Sequence, residues 1–170
     1  MTQTPGQPRP ARDPARRILL HWAAAGLLLL QWLTADAYHR THGSLLPPRS
    51  ADLLEYAVHR YAGLALGAVV LLQLLALSRG NAVPPADTGW RSRLAKTVHW
   101  SLVAVLLGQA VTGVVAVYLA PQAARAHTLL WGALLFLLAL HAAGVLFHLL
   151  RRDGVVSGIL PLQPGRRRTR

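Results

Sequence analysis

The chain has 170 residues, enough for one domain, and is 53% hydrophobic but only 14% charged, well below the roughly 25% usual in soluble domains; this argues against a soluble fold. Its net charge of +12 is not a nucleic-acid signature, because the basic residues cluster at the ends of apolar runs, where lipid phosphates are the expected anionic neighbours. With no cysteine, disulfides, thiolate-held iron–sulfur clusters, covalent CxxCH haem attachment and a cysteine nucleophile are all excluded.

Residues 1–17 are polar, carry Pro5, Pro8, Pro10 and Pro14, and read as a flexible basic tail. Arg16 and Arg17 precede an apolar run as in a signal peptide. No small-residue cleavage site follows, however, and the run is long enough to span, so it reads as a retained helix. Four stretches, 18–35, 61–78, 97–120 and 126–150, lack formal charge over 18, 18, 24 and 25 residues. About 20 residues cross a hydrocarbon core of roughly 30 Å. Only helices and closed barrels satisfy the backbone there, and runs rich in Ala and Leu without alternation favour helices.

The expected fold is therefore all-α: an integral membrane four-helix bundle over 18–150, with helices at about 18–37, 54–78, 95–120 and 125–150 and a second basic tail at 151–170. Extending the second helix back to Leu54 places Glu55, His59 and Arg60 at the interface or facing the bundle interior. Gly43, Pro47 and Pro48 mark the first break, Gly80, Pro84 and Pro85 the second, Pro121 the third, and Asp153, Gly154 and Pro161 the end. Fourteen of the 18 basic residues fall on the side of the termini, and only Arg40, Arg49, Arg60 and Arg125 on the other. That bias predicts both termini cytoplasmic.

A partial repeat links the first and third helices. His21-Trp22, Gln31 and Thr34 recur as His99-Trp100, Gln109 and Thr112, at a constant offset of 78 residues. Chance matches in apolar sequence are the competing reading, and by itself the repeat says little about function.

Eight histidines are present. His39 and His42 fall in the first outside loop and read as ordinary polar loop residues. His21, His59, His99, His127, His141 and His148 lie within or at the rim of the spans. Ionisable groups in a bilayer are costly and rare. One could simply hydrogen-bond a neighbouring helix, but six in four helices ask for a common cause, and imidazole is a frequent axial ligand of haem iron. His127 and His141 are 14 residues apart, nearly four turns, so both project to almost one face about 21 Å apart along the axis. His148 continues that stripe. By depth, His59 pairs with His127 on the outer side. On the inner side the choice among His21, His99, His141 and His148 stays open.

Gly63 and Gly67 follow His59 on its own face, where they would let a flat ring approach; helix packing through small residues explains them equally well. Arg16, Arg17 and Arg93 inside, and Arg49, Arg60 and Arg125 outside, could pair with haem propionates, although headgroup contact accounts for most of them.

The segments RRILLHW (16–22), HRYAGLAL (59–66), HWSLVAVLLGQAVTG (99–113) and HTLLWGALLFLLALHAAGVLFHLLRRDG (127–154) resemble the prokaryotic cytochrome b561 family. That family is related to the di-haem cytochrome b subunits of nickel–iron hydrogenases and formate dehydrogenases. The resemblance implies four helices and two b haems, one between His21 and His141 and the other between His59 and His127. His99 and His148 match family histidines that are not usually iron ligands, and they are candidates for shaping a quinone site or tuning a haem. Members exchange electrons with membrane quinones; some oxidise superoxide and some anchor dehydrogenases. The chain departs from the family pattern at Gln73, where an Arg is frequent, and at 155–162, where a Met-containing segment is frequent.

The expectation is a di-haem, bis-histidine electron carrier with membrane lipid and quinone as partners and no nucleic acid. Its rivals are an anchor subunit for an electron-donor protein such as a hydrogenase or dehydrogenase, and a haem-free small transporter. A transporter would call for deep intramembrane acids, and all six acids lie outside the apolar runs. A homodimer is compatible with the sequence but not required by it. No phosphate-binding loop, HExxH zinc motif or catalytic triad is present.

Overall fold

The computed structural model describes residues 14–43, 46–76 and 89–151. The described chain is helical: α1 Pro14–Leu33, α2 Ala37–His42, α3 Ser50–Ala76, α4 Trp90–Tyr118 and α5 Ala123–Arg151. The basic tails, apart from residues 14–17 and Arg151, lie outside the described residues, as does the connection at 77–88. The four long helices have 20, 27, 29 and 29 residues. At 1.5 Å per residue each is about 30 Å or longer, and each belongs to a segment long and apolar enough to cross a membrane.

Local chemistry sets the ends. α1 stops at Leu33, four residues short of the expected boundary. The Thr34 hydroxyl donates to the Leu30 carbonyl at 2.7 Å, and the chain turns through Thr34–Asp36 before α2 begins. α2, read from sequence as a helix end and a loop, packs on α3. There Tyr38 stacks on His42 at 4.7 Å, and His42 stands edge-on to Tyr56 at 5.0 Å. Arg40 ties the two elements by pairing with Asp52 at 3.0 Å and with Glu55. At the end of α4, the Leu119 and Ala120 amides both close on the Val115 carbonyl before Pro121, which cannot continue a helix.

The long helices pack in sequence order, α1 on α3, α3 on α4 and α4 on α5. Leu66, Val70 and Val103 form the buried core, flanked by Ala24, Leu27, Leu28, Leu74, Leu106 and Leu107. Most other large apolar side chains face outward, including Leu19, Leu71, Leu129, Phe136 and Leu146. Exposed Trp22, Trp90 and Trp100 stand near the end where α1 and α4 begin, and Trp32 and Tyr118 near the opposite end, as interfacial aromatic belts do.

Lipid tails are as apolar as leucine, so helices in a membrane associate through close packing of small residues rather than through the hydrophobic effect. Gly67 is the clearest case. A Cβ there would lie 2.9 Å from Ala110 Cβ, so this glycine serves the α3–α4 contact. Gly67→Val is expected to push the helices apart at a cost of about 1–3 kcal/mol, measurable as a lower melting temperature of the detergent-solubilised protein.

Candidate haem site

The folded bundle gathers the intramembrane histidines into two layers. At the end that carries α2, His59 of α3 faces His127 of α5, with ring centroids 6.4 Å apart. Toward the end where α1 begins and α5 finishes, His21 of α1 faces His141 of α5 at 6.3 Å. His99 of α4 also approaches His141, at 6.5 Å. His148 lies farther along α5 with its ring edge-on to Phe147. His39 and His42 sit on exposed α2, away from both layers.

These spacings can be tested against a bis-imidazole centre. A histidine nitrogen binds a metal at about 2 Å and sits about 1.2 Å from its own ring centre, so two imidazoles on opposite sides of one ion place their centroids roughly 6 to 6.5 Å apart. Both layers meet that condition. Helix packing fits as well, because α5 packs closely on α4 but has no comparable close approach to α1 or α3. A flat macrocycle needs such a gap between the helices that ligate it. A cavity of about 350 Å³ lies at the second layer, lined by His21, Gln73, His99 and His141 among apolar side chains that include Leu28 and Leu138.

The first layer is held by polar residues whose role the sequence did not disclose. Thr34 Oγ1 lies 3.1 Å from His59 Nδ1, and Gln31 Nε2 donates to the His59 carbonyl at 2.7 Å. On the other side, Thr112 Oγ1 lies 3.2 Å from His127 Nδ1, and Gln109 Nε2 donates to the His127 carbonyl at 3.1 Å. Gln31, Thr34 and Gln109 are the buried polar side chains among the described residues. These are the repeated residues of the 78-residue offset, so the repeat was the signal that could have found them.

Two glycines make room. A Cβ at Gly113 would come within 3.2 Å of His127 Cε1, and one at Gly63 within 3.4 Å of Gln31 Oε1. Gly63 thus admits the glutamine that holds His59. Arg60, beside His59, donates to the Tyr118 hydroxyl at 2.5 Å and lies over the Tyr56 and Tyr118 rings. That fixes its guanidinium at the rim of the first layer.

A model of the prokaryotic cytochrome b561 family matches residues 11–162. Comparison with curated proteins and with solved structures finds no match. The family match spans all four long helices and both histidine layers, and the chain belongs to the prokaryotic cytochrome b561 family: it is a multi-pass membrane protein and a b-type cytochrome that transfers electrons.

Proposed function

We propose that this chain is a di-haem cytochrome of the bacterial inner membrane, holding one haem between His59 and His127 and a second between His21 and His141, with a membrane quinone as one redox partner. The observation that carries this reading is the pair of cross-helix spacings, 6.4 and 6.3 Å, that a single helix makes with two different partners. His127 and His141 on α5 are separated by about 21 Å of helical rise, which suits one ligation position toward each surface. Haem held between two imidazoles supplies a one-electron couple at iron with no open position for a substrate.

The surrounding residues suit transport of electrons rather than of ions. Leu28, Leu102, Leu106 and Leu138 wall the second layer and limit the access of water. The described acids Asp36, Asp52 and Glu55 all lie at the α2 end, and Asp52 and Glu55 are engaged by Arg40. No carboxylate among the described residues stands between the two layers to carry a proton or cation. The bias of basic residues toward the termini supports placing that end in the cytoplasm.

Purified in detergent and reduced with a quinol analogue, the protein is expected to give the absorbance spectrum of low-spin bis-histidine b haem, at about two haems per chain. A colourless protein would refute haem binding, and a single haem per chain would refute the two-layer assignment.

A further inference from the structure

The two hydrogen-bonded histidines of the first layer differ from those of the second in a way that bears on chemistry. Thr34 Oγ1 lies 2.7 Å from the Leu30 carbonyl, and Thr112 Oγ1 lies 2.7 Å from the Gly108 carbonyl. A carbonyl can only accept, so each threonine spends its one hydroxyl proton on its own helix. The hydroxyl oxygen then meets the imidazole with a lone pair, and the imidazole nitrogen must be the donor. His127 gives an independent check, because its Nδ1 also lies 3.1 Å from the Gln109 backbone carbonyl, which again can only accept. Both rings are therefore Nδ1–H tautomers, and Nε2 is left as the ligating nitrogen.

The backbone of the same residues is held too. Gln31 and Gln109 each donate to the main-chain carbonyl of the histidine that the threonine binds. Glutamine and threonine three residues apart lie on one helical face, so one turn of α1 grips His59 and the matching turn of α4 grips His127. The sequence separation from threonine to histidine is 25 residues in the first case and 15 in the second, and the longer connection contains α2. By contrast, no ring nitrogen of His21, His99 or His141 has a hydrogen-bond partner among the described residues.

We propose that the repeated Gln-x-x-Thr pairs, Gln31/Thr34 and Gln109/Thr112, form a duplicated clasp that presents Nε2 of His59 and His127 to iron and sets the redox potential of the haem bound there apart from that of the second layer. An Nδ1–H bond to oxygen raises the basicity of the ligating nitrogen, which favours the more highly charged ferric ion, so the clasp lowers the potential. The proposal rests on the di-haem reading above. The threonines are positioning residues; they act on the iron through the histidines.

The effect should be alike at the two clasps. Each imidazole also meets the backbone of its clasp's glutamine, His127 Nδ1 lying 3.1 Å from the Gln109 carbonyl and the His59 ring engaging the Gln31 backbone. The near-isosteric Thr34→Val and Thr112→Val should therefore act in the same direction and to a similar extent.

Optical redox titration of the purified holoprotein tests this. In Thr34→Val one of the two midpoints is expected to rise and the other to stay. The rise should correspond to about a three- to tenfold change in the oxidised-to-reduced ratio, up to about 59 mV for a one-electron couple. Thr112→Val should give a similar rise of the same midpoint, and Thr34→Ser, which restores the hydroxyl, should return it to the wild-type value. If Thr34→Val loses the first-layer haem, the serine variant should regain it with a wild-type potential. Unchanged potentials in fully loaded valine variants, equal movement of both midpoints, or failure of serine to restore would overturn the clasp alone. A wild-type chain that takes up no haem would overturn the di-haem reading and the potential-setting role with it.

Discussion

His127→Ala is expected to leave about one haem per chain, and His141→Ala to leave the other one, as measured by haem-to-protein ratio. α5 is the one helix with a histidine in both cross-helix pairs, facing His59 at 6.4 Å and His21 at 6.3 Å. Alanine removes the ligating nitrogen. The hydrogen-bonding groups around the first layer cannot ligate iron in place of His127, since Thr112 and Gln109 engage it through Nδ1 and the main chain. A bound group also stabilises the fold that binds it, by about 4 kcal/mol when present at a thousand times its dissociation constant. Each variant should therefore melt at a lower temperature than the wild type, and the double variant lower still and colourless. Because such losses can disturb folding, His141→Met gives a gentler test. Methionine keeps a ligand on the iron and raises its potential, so this variant should retain two haems with one midpoint moved upward. Two haems in His127→Ala or His141→Ala, or an unmoved pair of midpoints in His141→Met, would refute the ligand assignment.

What was legible in the sequence followed from properties that need no knowledge of neighbours. Span length and apolar composition act residue by residue, so the four long helices emerge from hydropathy alone. The 14-residue spacing of His127 and His141 is also internal to one helix, and 3.6 residues per turn suffices to place both on one face. Other features depend on which helix meets which, and they were not legible. Gln31 and Thr34 stood out through the 78-residue repeat, but nothing in it pointed to His59 as their partner, because the loop between them differs in length from that between Thr112 and His127. Gly67 shares a helical face with His59, yet it packs on Ala110 of α4. The short α2 was hidden because residues 37–42 look like a polar loop. Its order comes from tertiary contacts: Tyr38, His42 and Tyr56 packing together, and Arg40 reaching Asp52 and Glu55.

His21→Ala is expected to remove the second-layer haem, whereas His99→Ala retains both haems, although the two rings lie at nearly equal distance from His141, 6.3 and 6.5 Å. The reason is the repeat combined with helix packing. His21 and His99 are repeat mates, and so are the clasps on His59 and His127. Carrying the same relation along the next helices, His59 to Gln73 is 14 residues, as is His127 to His141, so Gln73 stands where His141 does. The first layer maps onto itself, His59 exchanging with His127. The second layer does not: the partner of His21 is His141, while the corresponding partner of His99 is Gln73, an amide that is a poor ligand for iron. His99 is thus the unpaired member of the set. Packing agrees, because α4 packs closely on α5 whereas α1 does not, and only the latter pair leaves room for a flat ring between its backbones. His99 does line the cavity with Gln73, so His99→Ala should shift the second-layer midpoint while leaving the haem count at about two. If His99→Ala instead loses a haem and His21→Ala keeps both, the second-layer ligand is on α4, and the pairing implied by the family resemblance fails at that position.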